Sequence, residues 1–523
     1  MTRLRWLLSL AAALAVADTY PRQPGIDVEH YIFRLALSDA RDEIRGETTV
    51  TVRFRAAGVS EFVLDLASPE NGKGMTVDSV DAPFRHQSGR LTIQVAPSDA
   101  GARRNFTVKY HGVPAAGLRI GLNKYKDRTF FGESWPHLAR HWLPTVDHPY
   151  DKATSEFIVT MPVKYRVVAN GLLQEERELG DGNRLTHWRQ SVPIASWLNT
   201  IGVAEFSTHH AGRVRNVPLE TWVFRQDAAR GPAVFEQTSR RALEFFSDRI
   251  GPYPYEKLAN VQAVGFSGGV ENASAIYYEE DFVGGKRAEA PLIAHEIAHQ
   301  WFGDSVTESD WDDVWLSEGF ATYFALLYAE HYEGRDAFVA GLKQARKAVI
   351  KAEAKLPGQP IIHRNLADPG KVLNALVYQK AALVLHLLRG IVGTENFWAA
   401  IRTYYARHRD GNSTTAAFRQ AMEEQSGQDL AWFFEQWLYR AGSPAVRFAW
   451  RYEGARKRVI VELEQTQPDH TFRLPIEISL DGRVEKLDMT TKRQRFEFAA
   501  GKTPSVVLLD PNSWMLLESS EER

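Results

Sequence analysis

Residues 290–303 have the sequence Ala-Pro-Leu-Ile-Ala-His-Glu-Ile-Ala-His-Gln-Trp-Phe-Gly, in which two histidines four positions apart bracket a glutamate in an otherwise apolar segment. Side chains at positions i and i+4 of an α-helix lie on the same face, so His295 and His299 can bind one metal ion. Glu296 lies about 100° further round the helix and can reach a water on that metal without being a ligand. The spacing predicts a metal site on one helix face with an acid beside it.

A second acid supports this prediction. Glu318 follows His299 by nineteen residues and stands in the hydrophobic stretch 315–328. Acids on the apolar part of a helix are rarely buried unless they are paired or bound to a metal. Two histidines and one carboxylate leave the fourth tetrahedral position of zinc open for water, whereas a structural zinc is fully ligated, usually by cysteine, and this chain has no cysteine. The pattern therefore predicts the catalytic zinc of a hydrolase, against the alternative of a chance motif on an ordinary amphipathic helix.

The same motifs resemble a known family, the gluzincin zinc aminopeptidases that include alanyl aminopeptidase and the leukotriene hydrolase. His-Glu-x-x-His, eighteen intervening residues and Glu in Trp-Leu-x-Glu-Gly-Phe-Ala occur here at residues 295–321. The family's upstream Gly-x-Met-Glu-Asn segment is matched by Gly-Gly-Val-Glu-Asn at residues 268–272. Its tyrosine in a Tyr-Glu-Lys-Gly setting is matched by Tyr-Gln-Lys-Ala at residues 378–381, where Ala381 replaces the glycine. Three motifs in the right order make the resemblance specific.

The resemblance implies one zinc ion per chain, held by His295, His299 and Glu318. It also implies that Glu296 is the general base that activates water, and that Tyr378 donates a hydrogen bond to the oxyanion of the tetrahedral intermediate. The alternative for a lone tyrosine at the start of an apolar helix is a core position with a satisfied hydroxyl.

The segment 268–272 is predicted to bind substrate. Gly268 and Gly269 allow the backbone to approach a ligand closely, and an extended segment at a cleft edge can pair with a peptide as an added strand. Glu271 offers a carboxylate to a cation, which the resemblance identifies as the free α-ammonium of a peptide, and Asn272 belongs to the same substrate-binding motif. The alternative is a surface Glu-Asn turn.

Glu133 is a further candidate for substrate binding. Residues 139–149 resemble the family's Ala-Arg-x-x-x-Pro-x-x-Asp-x-Pro passage, whose loop supplies one wall of the first substrate pocket through an upstream Gln or Glu. This chain departs from the pattern, since Glu-Ser-Trp-Pro occupies residues 133–136 and a gap is required to align Glu133. A solvated loop acid is the alternative.

The first seventeen residues have the pattern of a signal peptide. Arg3 and Arg5 precede an apolar run at residues 6–16, and Ala15-Val16-Ala17 forms a small-x-small cleavage site before Asp18. The run is shorter than the roughly 20 residues that span a bilayer. We expect cleavage after Ala17 and export to the periplasm or the extracellular space, with an uncleaved membrane anchor as the alternative.

Length and composition predict a multidomain α+β protein. A chain of 523 residues is long enough for about three domains. Alternating apolar residues predict an N-terminal antiparallel β domain at 18–217. Helical periodicity predicts a mostly helical catalytic domain at 218–441, thermolysin-like by the resemblance, in which residues 372–390 and 416–440 form two of the helices. Renewed alternation predicts a C-terminal β-sandwich at 442–523. Larger family members add a helical domain that closes over the active-site cleft. This chain is expected to be a short form without that domain, so the family's limit on substrate length is a weaker expectation here.

The functional prediction is a zinc-dependent aminopeptidase acting on peptides with a free amino terminus. A formal charge of -2 argues against nucleic-acid binding and against a polybasic membrane surface, and no stable membrane insertion is expected. A zinc endopeptidase or an epoxide hydrolase on the same scaffold, or a non-catalytic peptide-binding protein, remain as alternatives.

Overall fold

The computed structural model describes residues 18–284, 290–363 and 368–521, and shows a β domain, a mixed helical domain and a second β domain in that order. The multidomain α+β architecture predicted from the sequence is confirmed. The predicted signal segment at residues 1–17 lies outside the described residues.

The N-terminal domain is built from strands whose side chains alternate between the core and solvent, as in β2, where every second residue is buried. Its strands are β1 (Ile26–Ala36), β2 (Ile44–Phe54), β3 (Glu61–Asp65), β4 (Gly74–Val80), β5 (Phe84–Gln87), β6 (Arg90–Gln94), β7 (Arg103–Val113), β8 (Leu118–Leu122), β9 (Arg128–Gly132), β10 (Lys152–Pro162), β11 (Arg166–Ala169), β12 (Leu172–Glu178), β13 (Asn183–Ala195) and β14 (Ile201–Ala204).

These strands form three sheets. The largest has the order β12-β13-β10-β1-β2-β7-β4, and the others have the orders β11-β14-β9-β8 and β3-β6-β5. All pairings are antiparallel except one, because β1 and β10 lie side by side and run parallel. The two strands of that pair are more than 100 residues apart in the chain. Alternation of apolar residues within a strand does not indicate whether its neighbour runs parallel or antiparallel, so the sequence did not predict this pair.

The middle domain contains a mixed sheet whose central strand is buried on both faces. Its strands are β15 (Phe206–Val214), β16 (Val217–Phe224), β17 (Leu258–Ala263), β18 (Gly269–Val270) and β19 (Ala275–Glu279). The order is β15-β16-β17-β19-β18, so the short strand β18 forms one edge. All six residues of β17 are buried: Val261 packs on the core of the N-terminal domain, and Leu258 on the helical core. The predicted boundary at 217/218 falls in the first two residues of β16, just after the turn of the β15–β16 hairpin, whose two strands share this sheet.

The middle domain also contains eight helices in the described residues. They are α1 (Gly231–Arg249), α2 (Ala290–His299), α3 (Trp315–Tyr332), α4 (Arg335–Lys355), α5 (Ala381–Val392), α6 (Thr394–His408), α7 (Thr415–Ser426) and α8 (Ala431–Leu438), with a small pair of strands, β20 (Val306–Glu308) and β21 (Gly411–Ser413). Of these helices, α1 and α2 pack against the mixed sheet. The helix predicted at 416–440 is two helices. Gly427 ends α7 in the left-handed conformation (φ 67°), which glycine adopts without steric cost.

The C-terminal domain packs two sheets face to face. Its strands are β22 (Ala445–Glu453), β23 (Arg458–Gln465), β24 (Leu474–Leu480), β25 (Arg483–Met489), β26 (Arg493–Ala499), β27 (Val507–Leu509) and β28 (Glu518–Glu521). The orders are β26-β23-β22-β28 and β25-β24-β27. Its buried side chains are continuous with the core of the helical domain.

Within the described ranges, no single helix has the length and apolar character needed to cross a membrane. One pair of helical segments, Leu376–Val392 and Thr394–His408, meets the length and composition requirement only when the two are combined, and they are bent at 119° to each other.

Candidate active site

Helix α2 positions the two histidines of the metal site. Proline at its second residue suits the first turn of a helix, where the missing N–H would have no partner. Ile293, Ala294, Ile297 and Ala298 are fully buried, which fixes the rotation of the helix about its axis. His295 and His299 consequently point their Nε2 atoms at the same place, 3.1 Å apart.

Helix α3 brings the third candidate ligand. Glu318 lies in its first turn and is buried, with Oε2 3.6 Å from His295 Nε2 and 3.4 Å from His299 Nε2. Four-coordinate zinc with bonds of about 2.1 Å separates its ligand atoms by about 3.4 Å, which is close to all three distances. Glu318 Oε2 has no hydrogen-bond partner among the described residues, so this buried oxygen is left for a cation. The three residues fit a zinc ion.

The protonation of the site also suits a cation. Burial opposes a charge on Glu318, but His299 and His295 hold the pKa of its carboxyl at about 2, so it is an anionic ligand. Burial also opposes a charge on His299, yet the carboxylates of Glu271 and Glu318 raise the pKa of its imidazole well above the ordinary value. The acids around His299 therefore make the pocket favourable for positive charge.

The orientation of His299 is fixed by groups on two other segments. Its Nδ1 lies 3.2 Å from the carbonyl oxygen of Phe302 and 3.0 Å from Ser317 Oγ, which leaves Nε2 for the metal. Gly303 has a positive φ of 112°, and a Cβ there would collide with Ser317 Oγ. The turn after α2 therefore requires glycine to bring the carbonyl of Phe302 against the histidine.

Glu296 and Glu271 face the metal site from its other side. Suitable ligand atoms of Glu271, Glu296 and His299 all lie within 4.8 Å of one another. Burial, followed by the charge of Glu271, raises the pKa of Glu296 well above its ordinary value. Burial is also the largest cause of the raised pKa of Glu271. Two buried carboxyls this close, one on the helix and one after the edge strand, form a second position that favours a cation.

The edge strand β18 touches the predicted base directly. Gly269 and Val270 pair with Tyr278 and Tyr277 of β19, and no other strand of the described chain pairs with the outer side of β18. A Cβ at Gly269 would lie 2.5 Å from Cδ, Cγ and Oε1 of Glu296. The absent side chain at Gly269 is therefore what lets Glu296 occupy its position.

We predict that Gly269→Ala lowers kcat about 10²-fold, because the added methyl group displaces Glu296 and misplacement by about 1 Å costs that much in an enzyme. The measurement is steady-state hydrolysis of an aminoacyl substrate, with zinc content determined in parallel. The control is Gly121→Ala, where a Cβ meets no atom within 4 Å. An unchanged kcat in Gly269→Ala would show that the contact does not position Glu296.

Tyr378 lies in a π-helical turn, Leu376–Lys380, that leads into α5. Its hydroxyl donates a hydrogen bond of 2.8 Å to Glu318 Oε1, and its ring lies nearly parallel to that of His295, with the centroids 6.1 Å apart. Burial and the Glu318 carboxylate raise the pKa of Tyr378 well above its usual value, so the hydroxyl keeps its proton. Single π-helical turns are frequent at functional sites, and this one directs a protonated donor to the edge of the metal site.

A close helix contact keeps Tyr378 near the metal ligands. A Cβ at Gly319, the residue after Glu318, would lie 2.5 Å from Cβ of Ala381. Helices α3 and α5 therefore approach at a glycine and an alanine, where a larger residue on either side would separate Tyr378 from Glu318.

Gln300, which follows the second histidine, is a site residue that was not predicted from the sequence. Its Nε2 donates to the backbone oxygen of Glu271 at 2.8 Å and to Asp304 Oδ2 at 2.7 Å, and its Oε1 accepts from the backbone N–H of Ser274 at 2.8 Å. Gln300 thus fixes the backbone on both sides of Asn272. The sequence feature that could have identified Gln300 is its position, since it is a polar residue next to His299 at the end of an apolar helix.

The remaining predicted residues make contacts with groups other than the metal ligands. Gly268, with φ 84°, accepts a hydrogen bond of 2.9 Å from the N–H of Glu279 and holds β18 to the sheet. Asn272 is buried, its carbonyl accepts from the N–H of Ala275, and its Nδ2 has no partner among the described residues. Glu133 forms an ion pair of 2.5 Å with Arg119, whose guanidinium lies over the ring of Phe266 on the loop before β18. Arg119 therefore links Glu133 to the loop before β18.

Comparison with protein families gives two matches. The Peptidase M1 N-terminal domain matches residues 27–198, and the Peptidase family M1 domain matches residues 235–437, which contain α2, α3 and Tyr378.

Individual proteins are similar over most of this chain. "Probable aminopeptidase 2" of Sulfurisphaera tokodaii is 24% identical over 445 residues, 81% of this chain and 55% of that protein. "Aminopeptidase N" of Streptomyces lividans is 26% identical over 446 residues, 81% of this chain and 51% of that protein. The chain thus spans about half the length of the curated relatives it matches. A crystal structure of an M1 zinc metallopeptidase from Deinococcus radiodurans is similar with a TM-score of 0.67 and 27% identity, covering 78% of this chain and 91% of that one.

Proposed function

Because the chain belongs to peptidase family M1, we propose that it is a zinc-dependent aminopeptidase that removes the N-terminal residue from peptides. The observation that carries the proposal is the juxtaposition of two cation positions at His299. One is formed by His295, His299 and Glu318, and the other by Glu271 and Glu296. A site of this form can hold the metal and a substrate ammonium a few ångströms apart.

The residues divide the chemistry between them. Zinc, when bound, supplies a Lewis acid that polarises the scissile carbonyl and acidifies water. Glu296 takes the proton of the attacking water and delivers it to the leaving amine. Tyr378 keeps its proton and offers it to the carbonyl oxygen as negative charge develops there, which requires its hydroxyl to turn from Glu318 Oε1 toward the substrate.

The cleft explains why cleavage takes place one residue from the end. The outer side of β18 can pair with the backbone of an extended peptide. Glu271 follows β18 directly and pairs with the α-ammonium, so the first peptide bond of the substrate lies beside Glu296. The crystal structure of a two-domain M1 zinc metallopeptidase mutant bound to L-tryptophan, which is similar to this chain with 27% identity and a TM-score of 0.67, supports this direction, because its ligand is a single amino acid.

An apolar groove gives the rest of the peptide a path. A cavity of about 590 Å³ opens from His295 and Tyr378 and continues between α2, α3 and α4. Most of its wall residues are small or aliphatic, with Leu292, Leu326 and Ala340 among them. We propose that the groove receives the leaving part of the peptide.

The experiment is hydrolysis of a panel of aminoacyl fluorogenic substrates and short peptides, each with a free or an acetylated amino terminus. We expect turnover of the free-amine members alone, its loss with a chelator and its return with zinc. Equal cleavage of acetylated peptides would identify an endopeptidase. Turnover of epoxides without peptides would identify an epoxide hydrolase, and a zinc-loaded protein that binds peptides without cleaving them would be a binding protein.

We predict that Glu271→Ala lowers kcat/KM for free-amine substrates about 10²-fold or more, because a buried carboxylate–ammonium pair is lost. Glu271→Gln keeps the shape and removes the charge, so it is expected to lose nearly as much. The measurement compares kcat/KM for matched free and acetylated substrates. Equal losses on both would contradict the anchoring role.

We also propose that the protein is exported. The support is the pattern of residues 1–17, with two arginines, a short apolar run and a small-x-small site. Fractionation of cells that express the full chain, with a cytoplasmic marker enzyme as control, tests this. Recovery with the cytoplasmic marker alone would refute export.

A further inference from the structure

The first described residue of the chain lies against a buried acid almost three hundred residues away. The backbone nitrogen of Asp18 is 3.2 Å from Oδ1 and 3.1 Å from Oδ2 of Asp310. The side chain of Asp310 is 12% exposed. A carboxylate therefore presents both of its oxygens to one nitrogen at the beginning of the described chain.

The side chain of Asp18 is fixed in the same place. It is 3% exposed, and its Oδ2 is 2.8 Å from Nε2 of His148 and 3.3 Å from the backbone nitrogen of Trp311. Burial acts to raise the pKa of this carboxyl, but the hydrogen bond from His148 and its charge keep the pKa below the ordinary value. Asp18 is thus anchored at its nitrogen and at its side chain.

Asp310 caps the short turn that precedes the helix carrying a metal ligand. Its Oδ1 accepts from the backbone N–H of Asp312 at 3.0 Å and begins the short turn Trp311–Asp313, which leads into α3. Its Oδ2 accepts from Arg22 at 2.9 Å, and the side chain of Arg22 is 35% exposed. Glu318 lies in the first turn of α3. Asp18 therefore contacts the turn that leads into α3, the helix that positions Glu318.

The geometry suits an ammonium group better than a peptide N–H. A peptide nitrogen has one hydrogen to share between two oxygens, whereas an α-ammonium has three and adds a positive charge on the buried side of a carboxylate that Arg22 pairs from its more exposed side. The sequence pattern places the processing site between Ala17 and Asp18, so the nitrogen that faces Asp310 is the one that cleavage would release.

We propose that hydrolysis of the Ala17–Asp18 bond creates the mature amino terminus, and that the Asp18 α-ammonium forms a buried ion pair with Asp310. Water adds across the peptide bond: Ala17 leaves as a carboxylate on the removed segment, and the amine of Asp18 takes a proton. Processing thereby supplies the cation that joins the N-terminal domain to the turn before α3. The inference rests on the proposed export, and it is independent of peptidase activity.

The first test is the intact mass of the exported protein, made from the full-length chain. We expect a chain that begins at Asp18. Any other first residue overturns the proposal. This measurement does not depend on peptidase activity. A protein without peptidase activity would contradict the proposed function, but it would not change the identity of the first residue.

The second test measures the reactivity of the Asp18 amine. An unperturbed α-amine has a pKa near 8, so at pH 7 it is labelled ahead of lysine by an N-hydroxysuccinimide ester. We expect labelling of the native protein, followed by mass spectrometry of the N-terminal peptide, to be at least about tenfold slower than in urea. Equal rates would overturn the ion pair, and this comparison needs no variant.

The third test assigns the protection to Asp310. Asp310→Asn keeps an acceptor for the Asp312 N–H but removes the charge, so we expect the native labelling rate to rise at least about tenfold. The control is Asp42→Asn, an ion-paired acid on the surface whose partner is Arg128, and it should leave the rate unchanged. An unaltered rate in Asp310→Asn, with the protein folded, overturns the assignment.

Discussion

Replacing Glu296 by glutamine is expected to lower kcat about 10²- to 10⁴-fold while the protein keeps one zinc ion per chain, because a general base contributes that much and Glu296 is not among the three ligands. Glutamine preserves the contact with Gly269 but cannot accept the proton of the attacking water. The measurement is kcat together with the zinc content of the purified variant. Structure and zinc binding should survive, since the buried carboxyl is replaced by a neutral group of the same shape.

Two comparisons make this result specific. Glu244→Gln, at an exposed position on α1, controls for preparation and should retain full activity. His295→Ala, which removes a ligand atom, should lose zinc as well as activity. If Glu296→Gln retained turnover, Glu296 would not be the base, and if it lost zinc, the assignment of the three ligands would be incomplete.

The second large effect is expected for Tyr378→Phe, which should lower kcat about 10²- to 10³-fold with little change in KM, the usual cost of one oxyanion donor. The structure adds a second contact that the variant removes, because the hydroxyl also donates to Glu318 Oε1. A role in positioning the ligand would show as weaker zinc binding. The measurement is therefore kcat, KM and zinc affinity in a competitive chelator titration.

The matched control is Tyr323→Phe. Tyr323 is a buried tyrosine on α3, and its hydroxyl is 3.1 Å from Nδ1 of His386, away from the metal ligands. We expect some loss of stability and an unchanged kcat. If kcat is also unchanged in Tyr378→Phe, Tyr378 is not an oxyanion donor. Its role is then that of a core tyrosine with a satisfied hydroxyl, the alternative stated from the sequence.

Local features of the sequence predicted the elements of the fold and the candidate ligands. The i, i+4 spacing of His295 and His299 follows from helical geometry alone, and a buried acid such as Glu318 needs a partner. Alternation predicted the two β domains. The same local signals did not predict features that depend on contacts between distant segments, such as the parallel pairing of β1 with β10.

The sequence by itself determined which side chains could form the site, because helix periodicity and the cost of burying an acid act within a few residues. Three contacts were decided by the tertiary structure alone. Gly269 leaves space for Glu296, the Tyr378 hydroxyl donates a hydrogen bond to Glu318, and the backbone nitrogen of Asp18 faces Asp310. Each of these contacts joins segments 27 to 292 positions apart in the chain. Such contacts depend on how packed helices and sheets approach one another, and no local pattern in the sequence encodes those distances.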